Sequence, residues 1–216
     1  SGYTIENVSQ VQDKNGEWKP IDSDKDPTVI LIHYQSILED TINYIPPRVK
    51  IEISCLSMDE PTELRQIRSL IGESFDGEDA DAESLVRTVV PTRTFLEKLF
   101  LLAEEFQKEK PRSVRMSRHL YDLEKLMDTK YGEEALSNRK LYDAIVEHRR
   151  AYYALKYVNY DLHSPSTISF TIPESVIGAW QDDYADMRRF IIHGESMEFD
   201  ALMHRIRELQ ERVRNI

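Results

Sequence analysis

The apolar residues of this chain change period once, and that change constrains the architecture more than any other feature. Up to about residue 90 they alternate with polar residues; from Pro91 onward they recur every three or four positions. Period two belongs to strands and period 3.6 to helices with one buried stripe. "RVKIEISCL" is the clearest strand, with Val49, Ile51, Ile53 and Cys55 pointing one way and Lys50, Glu52 and Ser54 the other. "TVILIHY" reads as a second, with Ile30, Ile32 and Tyr34 on one face. Asn15-Gly16 has the chemistry of a hairpin tip. "QSILEDTINY" is a short amphipathic piece, and "ELRQIRSLI" fits strand or helix.

Beyond the switch, Thr94 and Glu97 have capping-box spacing ahead of "LEKLFLLAEEF". The stripe of that helix is Phe95, Leu99, Leu102, Ala103 and Phe106, and Pro111 stops it. "RMSRHLYDLEKLM" follows, with Met116, Leu120, Leu123 and Met127 on an apolar side. Arg115, Arg118 and Asp122 line a charged strip, and His119 sits between the two. One long helix is expected from about Asn138 to Tyr160. Another carries Val176, Ile177, Trp180, Tyr184, Met187 and Ile191 up to a stop at Gly194, and the last carries Phe199, Leu202, Met203, Ile206, Leu209 and Val213. The expected fold is therefore α+β, with a sheet-bearing region over residues 1–90 and a helical bundle over 91–216.

A net charge of −11 excludes a general nucleic-acid sponge, because nonspecific binding rests on phosphate neutralisation. A local basic patch is compatible with it. The single cysteine, Cys55, excludes an internal disulfide and a cysteine-rich metal site. No apolar run approaches the ~20 residues of a membrane span. "SGYTIENVSQ" lacks an apolar signal core, so the expected location is cytoplasmic.

Several residues carry candidate chemistry, each with a plainer reading. Glu52 is either a working carboxylate projecting from a sheet or a solvated side chain. Lys98 either holds phosphate as a point charge or lays its stem along apolar surface. Arg118 and Asp122 form either a surface pair or one wall of a site, with His119 either part of that wall or a half-buried core residue. "EHRRAYYALKYVNY" interleaves Arg149, Arg150 and Lys156 with Tyr152, Tyr153, Tyr157 and Tyr160, which suits RNA phosphates and bases or an amphipathic packing boundary. Asp79 and Asp81 have the spacing of a metal-binding pair, but they lie close to Ser74 with no strand between, so "GESFDGEDADAE" reads as an acidic loop and no metal site is expected. Phosphate-loop, dinucleotide-binding, zinc-protease and serine-hydrolase motifs are absent.

Five stretches, taken in order, resemble the AbiEii/AbiGii-type nucleotidyltransferase toxins of bacterial abortive-infection and toxin–antitoxin systems. "PRVKIEIS" is similar to that family's strand with a central glutamate, and "PTRTFLEKLFLLAEEF" to its Glu-Lys helix. "RMSRHLYDLEKLM" resembles its Arg-His…Asp helix, "LYDAIVEHRRAYY" the following basic-aromatic helix, and "WQDDYADMRRFI…FDALMHRIREL" its closing segment. The resemblance covers roughly residues 28 to 216. It implies a partial nucleotidyltransferase sheet followed by the bundle, Lys98 on nucleotide phosphate, Asp122 as an essential acid, and Glu52 as a third acid. Arg118 and His119 match the pair that precedes the aspartate and would help bind nucleotide. Arg149, Arg150, Tyr153 and Lys156 would contact the acceptor, a tRNA end or a protein. A cognate antitoxin is a further implied partner.

The family's sheet begins with a Gly-Ser turn followed by Asp-x-Asp on a strand, which holds the metals and triphosphate. No such segment stands in this sequence. The expectation is thus the C-terminal two-thirds of a longer enzyme that uses Mg²⁺ and NTP, inactive as this piece and holding no cofactor tightly. The alternative is a noncatalytic module that binds a partner protein or RNA.

Overall fold

The computed structural model describes residues 2–12, 17–21, 28–36, 46–53, 62–75 and 83–216. Asn15-Gly16, most of "QSILEDTINY", Cys55, Asp79 and Asp81 lie outside the described residues.

The strands come first: β1 (Tyr3–Val8), β2 (Gln10–Gln12), β3 (Trp18–Pro20), β4 (Thr28–Tyr34), β5 (Arg48–Ile53), β6 (Thr62–Arg68) and β7 (Glu83–Val89). β1, β4 and β5 form an antiparallel sheet in that order, while β2–β3 and β6–β7 are separate antiparallel ribbons. Pairing of Ile5 with Ile32, Ile32 with Val49, and Ile30 with Ile51 puts the branched apolar residues on one face. The opposite face carries Glu6, His33, Lys50 and Glu52. "ELRQIRSLI" divides, its first part being β6 and its last part opening the short helix α1 (Leu70–Ser74). Ser69 caps α1 by accepting the Gly72 N–H at 2.9 Å.

The helices are α2 (Pro91–Glu105), α3 (Ser117–Met127), α4 (Lys130–Ser137), α5 (Arg139–His148), α6 (Ile177–Phe190) and α7 (Phe199–Arg214). α2 is the hub and packs on α3, α4 and α5. Phe95, Leu96, Leu99, Phe100 and Leu102 of α2 are fully buried, and so are Leu120, Leu123 and Met127 of α3. Trp180 of α6 joins them with its ring centroid 5.0 Å from that of Phe106. α7 closes the core with Leu202, Ile206, Leu209 and Val213. At Gly132 an added Cβ would run into the backbone of Leu126 and Met127, so the crossing of α4 over the end of α3 requires glycine.

Three expectations are corrected, and two features are additions to them. α2 begins at Pro91 with Val90 as its cap residue and no side-chain cap. Proline suits the first helical position because its missing N–H is an orphan there anyway. Glu97 therefore lies too far inside the helix for a capping box. The long helix from Asn138 breaks after His148 into a π-helical turn, Arg149–Tyr153, and stops at Ala154, whose φ of +43° is left-handed. α4 was not anticipated, nor was the buried extended stretch of Ile168, Phe170 and Ile172. α6 ends at Phe190, and Gly194, φ +90°, turns the loop beyond it.

Candidate functional site

α2 and α3 lie side by side, and their facing charged residues meet. The Lys98 Nζ stands 2.7 Å from Asp122 Oδ2, with side chains 22% and 37% exposed. A pair this accessible contributes about 0–1 kcal/mol, too little to hold the helices together. The apolar contacts beneath it do that. The pair is therefore a charged feature held at the surface by a rigid core, within reach of a ligand.

His119 lies one turn before Asp122 and is buried, and its Nδ1 has no hydrogen-bond partner. Burial, then the positive charges of Lys98 and Arg118, pull its pKa from 6.5 to about 4, against the opposing pull of Asp122. The ring is neutral at physiological pH and adds a polar nitrogen without adding charge. Arg118 on the same helix is exposed.

The start of α3 is built from a distance. Arg115 has a left-handed φ of +59°, so the chain turns sharply into the helix. Asp183 of α6 accepts the N–H of Arg115 at 2.5 Å, the N–H of Ser117 at 3.0 Å and the Ser117 hydroxyl at 2.5 Å. A buried carboxylate there satisfies orphan donors and meets the positive end of the helix dipole. Sequence reasoning missed Asp183. Its signal was position: it falls between Trp180 and Met187 on the apolar stripe of α6, where an acid needs partners.

Arg149 is buried. Its Nε donates to Glu104 Oε1 at 2.7 Å, its Nη2 to Glu104 Oε2 at 2.5 Å, and its Nη1 to Glu97. Arg93 donates to the same Glu97 at 2.8 Å, and the Tyr153 ring covers the guanidinium at 4.5 Å. Burial disfavours the charge, but the Glu104 hydrogen bonds and carboxylates outweigh it and hold the pKa above its ordinary value. The expectation that Arg149 contacts an acceptor at the surface is corrected: its donors are spent on carboxylates inside the protein. Arg150 is exposed and pairs with Asp161 at 3.0 Å. Lys156 is exposed and Tyr153 half-buried. Beside them Tyr152 stacks on His148 with centroids 4.6 Å apart, and Lys108 lies 5.3 Å over the Tyr157 ring.

Glu52 is exposed on the polar face of β5, where Lys50 engages it at 2.7 Å. The Lys98–Asp122 pair forms without it. Among the described residues no three His, Cys, Asp or Glu side chains converge as a metal site would require. Ser74 ends α1.

The arrangement is thus a surface lysine and aspartate brought together from two helices on an α+β frame, with an exposed arginine and a neutral imidazole on α3. The family model for the nucleotidyl transferase AbiEii toxin, a type IV toxin–antitoxin system, matches residues 4–205. The chain belongs to this family and is a nucleotidyltransferase-like toxin. No curated protein matches it, and no solved structure does. Among the described residues no helix is long and apolar enough to cross a membrane.

Proposed function

We propose that the chain binds a nucleoside triphosphate against α2 and α3 and serves transfer of the nucleotide to an RNA end. The observation that carries this is the Lys98–Asp122 contact, made by residues from two helices and left accessible. Asp122 holds the ammonium in place. An incoming phosphate offers Lys98 a stronger charge partner, and Arg118 adds a second cation beside it. Asp122 is then free to orient the ribose or the acceptor hydroxyl, with His119 as a neutral neighbour. The family's divalent metal would neutralise charge developing on the phosphates. At α2 and α3 the chain's own part is that of a clamp, with Lys98 and Arg118 on the phosphates. Arg150 and Lys156, with Tyr153, Tyr152 and Tyr157, supply the phosphate contacts and stacking faces that an RNA end needs. Arg149 is not one of these contacts. Family membership supports an antitoxin as a partner.

Calorimetric titration with ATP, GTP, CTP and UTP tests the clamp. Wild type binds at least one of them, and Lys98→Ala and Asp122→Asn each weaken binding about tenfold or more, the size of one lost charge-assisted contact. Equal affinity in all three proteins would remove the reading. Labelled NTP incubated with tRNA or with protein then identifies the acceptor.

A second reading, a noncatalytic module for a partner protein, is favoured by the sheet. Ile5 is 63% exposed and Ile53 56% on one apolar face. No nucleotide bound by wild type, with a stable complex formed with the antitoxin, would decide for it.

A further inference from the structure

The buried Arg149 network and the Lys98–Asp122 clamp share one helix, and adjacent residues of α2 belong to each. Arg93, Glu97 and Glu104 stand one and two turns apart and so lie along one side of α2. Lys98 follows Glu97 directly, about 100° further round the helix, where it meets α3. Rotation of α2 about its axis therefore moves the Glu97 carboxylate and the Lys98 ammonium together. Arg149 grips Glu104 with two nitrogens and Glu97 with a third, so it spans two turns of α2.

We propose that Arg149 is a positioning residue: by stapling Glu97 and Glu104 it fixes the rotational setting of α2 that presents Lys98 to Asp122. Three further features fit the assignment. The helix carrying Arg149 widens into a π turn at that residue, and the Ala154 N–H closes it on the Arg149 carbonyl at 3.0 Å. This π turn ends the helix, and its first residue is the one whose guanidinium reaches Glu97 and Glu104 of α2. Ala154 pays for that turn with a left-handed backbone. Tyr153 caps the guanidinium from the same turn. A buried bidentate Arg–carboxylate pair adds little net stability compared with apolar packing, but it defines angle and register.

The inference rests on the clamp reading only for its effect on nucleotide. His119 gives a readout that needs none. Its imidazole faces Lys98, Arg118 and Arg112 as cations and Asp122 as an anion, so its pKa reports where the Lys98 ammonium sits. The experiment is an NMR titration of the His119 ring in wild type, Lys98→Ala, Arg149→Lys and Glu97→Gln, with each α2 variant repeated in the Lys98→Ala background. Arg149→Lys keeps the charge and loses the fork. Glu97→Gln leaves the Glu104 fork intact and serves if Arg149→Lys fails to fold.

Removing Lys98 raises the His119 pKa toward the ordinary imidazole value. Arg149→Lys and Glu97→Gln raise it in the same direction and change nothing further once Lys98 is gone. A lowered melting temperature with the His119 pKa unmoved would overturn the assignment and leave Arg149 as a structural residue. In parallel, ATP affinity falls about tenfold in Arg149→Lys and shows no added loss in the Lys98→Ala background. Should wild type bind no nucleotide, the clamp reading fails while the His119 titration still decides the role of Arg149.

Discussion

The strand region and the helical region carry comparable apolar patterns and bury them very differently. Phe95, Leu99 and Leu123 are fully buried. Val49, Ile51 and Ile53 alternate as regularly and remain 52%, 40% and 56% exposed. Among the described residues, Leu31 is the one strand residue in the buried apolar set. Period decides what element forms, but burial needs a second layer. The helices supply one another with it; among the described residues nothing gives the apolar face of β1, β4 and β5 such a cover. The Lys98–Asp122 pair stands on the helical core, where its residues are held by packing and not by their own weak attraction.

Truncating the core tests this contrast with the largest effect. Phe95→Ala should cost about 3–5 kcal/mol in urea unfolding through lost burial and a cavity. Ile51→Ala should stay within about 0.5 kcal/mol, as an exposed position does. A comparable loss at Ile51 would mean that the sheet face is covered in solution.

The next effect is one of pH. His119 falls from 6.5 in the unfolded chain to about 4 in the folded one. Between those values the unfolded state binds the extra proton, so stability drops as pH falls through this window and the loss is complete below about pH 4. A shift of that size corresponds to roughly 3 kcal/mol, an upper figure. His163, buried against Phe100 and Tyr160, shifts in the same direction because of its burial. Urea midpoints measured at successive pH values should fall toward acid in wild type and fall less in His119→Gln. An unchanged slope would place His119 in solvent.

The smallest effect should be blind to the contrast. Lys50→Ala in the sheet and Asp143→Ala on α5, which breaks the 2.9 Å pair with Arg139, should each change stability by about 0.2–1 kcal/mol or less. A larger loss at Lys50 would mean that Glu52 needs its partner, and that the polar sheet face is less solvated than its exposure indicates.

What the sequence displayed was what local pattern controls. The switch near Pro91, the apolar stripe of α3 and the core residues of α6 and α7 follow from spacing alone. Lys98 and Asp122 were legible as a pair only through the family's motifs; by spacing, each had a bland surface reading, and the packing of α2 on α3 joins them. Arg149 was misread for a related reason. In "EHRRAYY" it looks like its exposed neighbour Arg150, and what buries it is Glu104, 45 residues away. The α4 helix escaped because "KYGEEALS" has a glycine inside and little apolar stripe, and its place depends on the close crossing at Gly132. Ile168, Phe170 and Ile172 alternate like a strand, but among the described residues the stretch pairs with no strand and is held by Gln210, whose side chain bonds the Ile168 carbonyl and the Phe170 N–H.

The cap on α3 also sets an order of events during synthesis. Asp183 holds the first turn of α3 from 66 residues downstream. A ribosome that has made Lys98 and Asp122 has not yet made the carboxylate that fixes the start of the helix carrying Asp122. The clamp is therefore finished late, only after α6 has emerged.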